Sequence, residues 1–284
     1  MNYVDRIIKT ISYLPPFPAT VAKALMILRD PAADIDEVAE VIKFDQSIAS
    51  NLLRLCNSSY VGLRRPITSV REAVVFVGMN HLKRILVMTG TKPYFDKKRP
   101  GYETAAGELW KHSLATTIVA SKFEAFIPGA ESDAVFISAL LHDIGKLVLS
   151  EFVVSEHARI LTTVNEQKIS FLEAERRVFG VDHAEVGSRV LSFWRFPDDI
   201  VGTVGSHHAP LKDDDTPMLD IIRLADIVAI TMGYGTTVDG LAYRGFSDIC
   251  HRRSISRDTI DSVTSSTIEE LKRVESSFGF QGGQ

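Results

Sequence analysis

At four points along this chain a helix start is signalled by a short polar residue followed, three positions on, by a glutamate. The segments run from Asp34 to Glu37, Ser69 to Glu72, Ser170 to Glu173 and Asp182 to Glu185. A side chain of the first kind accepts from the free N–H groups of a first helical turn, and the glutamate reaches back, so each pair marks a helix start. Thr216-Pro217 marks another, with proline where a missing N–H does no harm. Gly78, Gly180 and Gly233 stand where three of these helices would end. Behind the starts, apolar residues recur near a 3.6-residue period, as at Leu219, Ile222, Ala225 and Ile230. The run Val74 to Val77 would also suit a strand, but the cap in front of it favours helix. The expected fold class is therefore all-α.

Two stretches interrupt the helical pattern. Lys92-Pro93 through Gly101 is charged and rich in helix breakers, and Ala209-Pro210 through Asp215 ends in three aspartates. The first sets the expected boundary between an N-terminal helical subdomain, 1–98, and a helical core, 99–240. A C-terminal helical extension, 241–284, follows, with a frayed tail from Gln281.

A chain of 284 residues with 45% apolar residues buries a substantial core without covalent staples. Cys56 and Cys250 form no Cys-x-x-Cys pair, so a reducing cytoplasm is the expected compartment. No basic segment followed by an apolar run opens the chain, and no apolar stretch reaches the roughly 18 residues that span a bilayer. The formal charge of −4 gives no general attraction to nucleic acid. Arg64-Arg65, Lys97-Lys98-Arg99 and Arg252-Arg253 read as solvated patches, with no basic stripe interleaved with aromatics.

Five of the eight histidines form a suggestive set with two aspartates. His142-Asp143 follows the apolar run Ala139 to Leu141 and precedes Ile144-Gly145-Lys146. An imidazole and a carboxylate are thus delivered to the edge of a buried helix, where an unpartnered charge is costly. The pair fits a cation, or else a helix-end histidine hydrogen-bonded to its neighbour. Glu108 and His112, four residues apart, share a helix face, as a ligand pair or an ordinary hydrogen-bonded one. His183 lies in the first turn of its capped helix, and His207-His208 follows an apolar one. Asp226 sits inside Leu224 to Ala229 and needs a partner, either a cation or an arginine such as Arg223. Together these are donor groups for divalent metals, and imidazole with carboxylate does not distinguish iron, manganese, zinc or nickel.

The order His112, His142-Asp143, His183, His207-His208, Asp226 resembles the metal-ligand order of the HD superfamily, closest to the HD-GYP branch and its HDOD relatives. The N-terminal half adds to the HDOD likeness. Leu14-Pro15-Pro16-Phe17-Pro18 resembles the family's opening proline motif, and Asp45 stands where Asp-Pro is common, followed here by Gln46. Leu52 through Asn57-Ser58 is similar to its Leu-x-x-x-Asn-Ser segment, and Ile67 to Val70 with Ala73 to Gly78 is similar to the next block. The likeness spans about residues 12–230 and implies an HD-type helical bundle behind an HDOD subdomain.

It also implies roles. His112, His142, Asp143 and Asp226 would hold one metal, and Asp143, His183, His207 and His208 a second, with Asp143 bridging. Glu108 would be an additional acidic ligand. Asp143 and Lys146 would be the catalytic pair, with Lys146 facing a substrate phosphate. Alanine, proline and leucine follow His208, so the Gly-Tyr-Pro signature behind cyclic-dinucleotide hydrolysis is absent. The expected function is a bacterial signalling protein with a metal pocket for a phosphorylated ligand, working through protein partners since no receiver or output module is visible. Alternatives are an active nucleotide or cyclic-dinucleotide phosphohydrolase and a metal-free interaction scaffold.

Overall fold

The structure, a computed structural model, describes residues 2–30, 32–57, 65–95, 100–102, 107–235 and 245–278. Arg64, the Lys97-Lys98-Arg99 cluster, the end of the Asn-Ser motif at Ser58 and the tail from Gln281 lie outside the described residues. Among the described residues the regular structure is entirely helical, with no strand. In order, the helices are α1 (Tyr3–Ser12), α2 (Ala19–Ile27), α3 (Ile35–Lys43), α4 (Gln46–Cys56), α5 (Val70–Val77), α6 (Met79–Phe95), α7 (Glu108–Phe123) and α8 (Ser132–Leu141). They continue as α9 (Lys146–Gln167), α10 (Phe171–Phe179), α11 (His183–Phe193), α12 (Asp198–Ser206), α13 (Pro217–Thr231), α14 (Phe246–Arg252) and α15 (Arg257–Phe278). A short 3-10 turn occupies Pro100–Tyr102.

The expected starts are used, by slightly different means. Ser170 and Glu173 form the full reciprocal box at α10. Ser69 and Asp182 accept from the N–H of Glu72 and Glu185, as expected. Asp34 accepts instead from Asp36, one residue earlier than a box requires. Glu72 reaches back to the N–H of Thr68, one residue before the cap. Thr216 caps α13 with Pro217 at its first position. Val70 to Val77 is helix, not strand, and Gly78 ends it at φ +77°, where a Cβ would be strained.

Two compact units emerge. One comprises Pro15–Pro93 with Ile268–Gln284. In it α3 packs on α2, α4 and α5, burying Val21, Val38, Ile42, Leu52 and Val74. The Asn57 side chain closes the connection after α4: its amide donates to the Ile67 carbonyl at 2.8 Å and its oxygen accepts from the Ile67 N–H at 2.7 Å.

The other unit comprises Met1–Leu14 with Tyr94–Thr267. Helix α7 is buried along most of its length, packing on α8 and α13, while α12 packs on α8 and α11. Apolar residues on several sides, such as Trp110, Val119, Leu140 and Ile222, suit helices in a bundle interior. A glycine fixes the closest approach. A Cβ on Gly145, between α8 and α9, would lie 1.9 Å from the His183 carbonyl oxygen and 2.6 Å from the Gly187 nitrogen. Only glycine lets the turn after His142-Asp143 seat against the start of α11.

Candidate metal centre

Each ring of the set is delivered by a helix end or a buried helix face. His142 is the C-cap of α8, and its Nδ1 lies 2.8 Å from the carbonyl of Ala139. His207 is the C-cap of α12, with Nδ1 2.6 Å from the carbonyl of Val204. His112, on the buried side of α7, holds Nδ1 2.7 Å from the carbonyl of Tyr234. A carbonyl only accepts, so in all three rings Nδ1 carries the proton and Nε2 faces inward. His183, first residue of α11, follows the same logic with a carboxylate. Glu175 Oε2 accepts from its Nδ1 at 2.9 Å and from its backbone N–H at 3.0 Å.

The inward atoms form two groups around Asp143. His112, His142 and Asp226 make one, and Asp143, His183, His207 and His208 the other, with the donor atoms of each group within 4.8 Å of one another. The Nε2 atoms of His112 and His142 lie 3.1 Å apart, and Asp226 Oδ1 is 3.2 and 3.7 Å from them. Asp143 faces both groups. Its Oδ2 lies 3.5 Å from His112 Nε2, and its Oδ1 lies 3.4 Å from His183 Nε2 and 4.0 Å from His207 Nε2.

Four of these atoms, Asp143 Oδ1, Asp226 Oδ1, His183 Nε2 and His207 Nε2, are buried without a well-formed hydrogen bond. Such atoms in protein interiors are rare and costly. Four of them converging in one pocket of imidazoles and carboxylates are groups of the kind that could hold a divalent cation, so the residues fit the group.

The electrostatics of these groups follow from the same contacts. Burial works against ionisation of Asp143, but Lys146 and the surrounding imidazoles outweigh it and hold the carboxyl well below its usual range. At Asp226, too, burial is outweighed, there by His112 and His142. Burial draws His183 down, yet Glu175 overrides it and lifts the ring to about 9. Burial and the charges on His142 and His183 press His207 down to about 3. Burial, then His207 and His183, push His208 well below the usual histidine range.

Two expected residues stand differently. Glu108 is not gathered in: it sits at the exposed start of α7 with its carboxylate 2.9 Å from Lys111 Nζ. It shares a face with His112 but lies four residues, about 6 Å, away along the axis. Lys146 is buried, and its Nζ donates to Asp143 Oδ2 at 2.8 Å. Arg223, weighed as a partner for Asp226, turns elsewhere. It donates to Asp215 Oδ2 at 2.6 Å and to the carbonyls of Ser206, His207 and Ala209 at 3.1, 3.3 and 3.0 Å.

Sequence reasoning missed Glu175 and Tyr102. Glu175 is fully buried on the face of α10 that carries Phe171, Ala174 and Val178, and Tyr102 donates to its Oε1 at 2.5 Å. A carboxylate interrupting an apolar helical stripe was the available signal. A cavity of about 810 Å³ opens onto His183, His207, His208 and Asp226, a volume suited to a small ligand. Leu172, Leu211, Ile227 and Ile249 supply apolar wall, with Lys168 and Arg176 among its charged residues.

Comparison with known proteins agrees with the all-helical fold. Over 98% of its length the chain superposes on 99% of an HDOD domain protein of unknown function from Geobacter sulfurreducens, with 26% identity and a TM-score of 0.71. A Shewanella amazonensis SB2B protein, provisionally named a phosphohydrolase, shares the fold at 18% identity and a TM-score of 0.73, covering 95% of this chain and 96% of its own. So does a Marinobacter aquaeolei VT8 protein, provisionally named for signal transduction, at 15% identity and a TM-score of 0.76, covering 98% of this chain and 64% of its own. A curated, uncharacterised relative from Treponema pallidum (strain Nichols) is 22% identical over 235 residues, 76% of this chain, which spans only 42% of that relative's length. The HDOD domain model matches residues 14–210, and the chain belongs to that family.

Proposed function

We propose that this protein is an HDOD-type signalling component that holds two divalent cations and binds a phosphorylated small molecule in the cavity beside them. The observation that carries this reading is the gathering of four buried, unsatisfied donor atoms in the two adjoining groups around Asp143. His112, His142, Asp226 and Asp143 Oδ2 would hold the first ion. Asp143 Oδ1, His183, His207 and His208 would hold the second. A pair of divalent cations, when bound, neutralises and polarises a phosphate group. Lys146 keeps Asp143 ionised and in place, and Lys168 and Arg176 put positive charge on the cavity wall. Signal output would pass to protein partners. The reading assumes a reducing cytoplasm, in keeping with the free thiols of Cys56 and Cys250, and no helix among the described residues is long and apolar enough to cross a membrane.

Elemental analysis of the purified protein tests this directly. Two equivalents of manganese, iron, zinc or nickel per chain are expected. Folded protein that binds no divalent ion, even after reconstitution, would leave only the interaction-scaffold reading.

A second reading, a metal-dependent phosphohydrolase, is favoured by the direct opening of the cavity onto His183, His207 and Asp226. Turnover of a panel of phosphomonoesters and phosphodiesters with added manganese or iron, lost in His142→Ala and Asp143→Ala, would establish it. No turnover by fully loaded protein would leave ligand binding as the role.

A further inference from the structure

Among the four rings whose Nδ1 contacts are described above, three lean on backbone carbonyls and only His183 leans on an acid. Glu175 is fully buried and uses both oxygens: Oε1 accepts from the Tyr102 hydroxyl, and Oε2 accepts twice from His183. A buried carboxylate carries a large desolvation cost, and these three donors offset it. Two of the three belong to His183. A carboxylate oxygen cannot donate, so the Nδ1–H is fixed and the ring has one orientation, with Nε2 turned towards Asp143 Oδ1 at 3.4 Å. An amide in place of Glu175 would keep the shape but lose the charge and blur the donor pattern.

We infer that Glu175, braced by Tyr102 from the 3-10 turn, is a positioning residue for His183 and makes the second metal position depend on α10. The first position has no such dependence, because His112 and His142 are oriented by the carbonyls of Tyr234 and Ala139. This inference rests on the two-cation reading above and adds a hierarchy to it: the two positions are oriented by different means and are weakened by different substitutions. Tyr102 also lies under Lys146, whose Nζ is 5.7 Å from the phenol ring centre, so the same residue touches both the lysine paired with Asp143 and the carboxylate that supports His183.

The test is manganese binding to metal-depleted wild type, Glu175→Gln, Glu175→Ala and Tyr102→Phe, followed by equilibrium dialysis and by the electron paramagnetic resonance of the bound ions. Circular dichroism and thermal melts check folding. Wild type is expected to bind two ions and to show the exchange-coupled spectrum of a close pair. Glu175→Gln should keep one ion at wild-type affinity, weaken the other about 10- to 100-fold and convert the spectrum to that of isolated manganese. Tyr102→Phe should move the same step in the same direction by less, which keeps the inference open to refutation if the Glu175 variants fail to fold. Folded variants that keep two ions at unchanged affinity, with the coupled spectrum, would overturn the role of Glu175 and leave the metal reading standing. A wild type that binds no manganese, zinc or iron would overturn both.

Discussion

Replacing Gly145 with alanine probes the contact that joins the two halves of the candidate site. The added Cβ would lie 1.9 Å from the His183 carbonyl oxygen, 2.6 Å from the Gly187 nitrogen and 2.9 Å from the His183 carbonyl carbon. Ordinary contact begins near 3.4 Å, so the shortfall is about 1.5 Å, and backbone atoms cannot swing aside as a flexible side chain would. The turn must move away from α11, at a cost near the top of the usual overpacking range, about 2–3 kcal/mol. For a unit of this size that lowers Tm by about 5–10 °C. The same movement pulls His183 away from Asp143, so binding at the second metal position should weaken by about 10- to 100-fold. Gly202→Ala is the matched control. Gly202 lies in α12 with nothing within 4 Å of its would-be Cβ, so alanine should be neutral or stabilise the helix by up to about 1 kcal/mol. Thermal melts and metal titration of both variants decide the matter. If Gly145→Ala melts with wild type and binds metal normally, the close-approach argument is wrong.

Three other outcomes are expected. Asp226→Asn should leave the helical content unchanged while removing binding at the first metal position, read as one equivalent lost in elemental analysis. Asp220→Ala should destabilise the protein by about 2–3 kcal/mol in urea unfolding, because it leaves Arg252 and Arg253 without their buried partner; those arginines still reach solvent, so the loss stays below that of a fully buried pair. Burial would raise the Asp215 pKa, but the Lys212 N–H and the Arg223 guanidinium hold it below the usual value. A depressed folded-state pKa contributes stability that is complete above the unfolded value, about 3.9, and is lost as pH falls through the lower folded value. Asp215→Asn should therefore be destabilising at pH 7, with the difference from wild type shrinking in acid melts below about pH 4.

Helix starts were legible because a cap is a local event. Ser170 with Glu173, and Thr216 with Pro217, needed only their own neighbours to act. The cluster of imidazoles and carboxylates is legible for a related reason: His142-Asp143 and Asp226 sit in segments so apolar that a charge there demands an explanation. What stayed hidden depends on the third dimension. Glu108 shares a helix face with His112, but sharing a face does not bring a side chain one turn away into a pocket. Glu175 is not singled out by any local motif, although it falls on the buried line of Phe171, Ala174 and Val178. Gly145 gave no sign of its contact, since the carbonyl it must clear is 38 residues away in sequence.

Helix α13 carries Asp226 on one side and, three residues earlier, the arginine that grips the carbonyls of Ser206, His207 and Ala209. One rigid rod thus supplies an acid to one half of the cluster and clamps the hairpin-like bend presenting the paired imidazoles to the other. Sliding or rolling that rod disturbs both halves in a single stroke, so whatever pushes on it addresses the whole cluster at once.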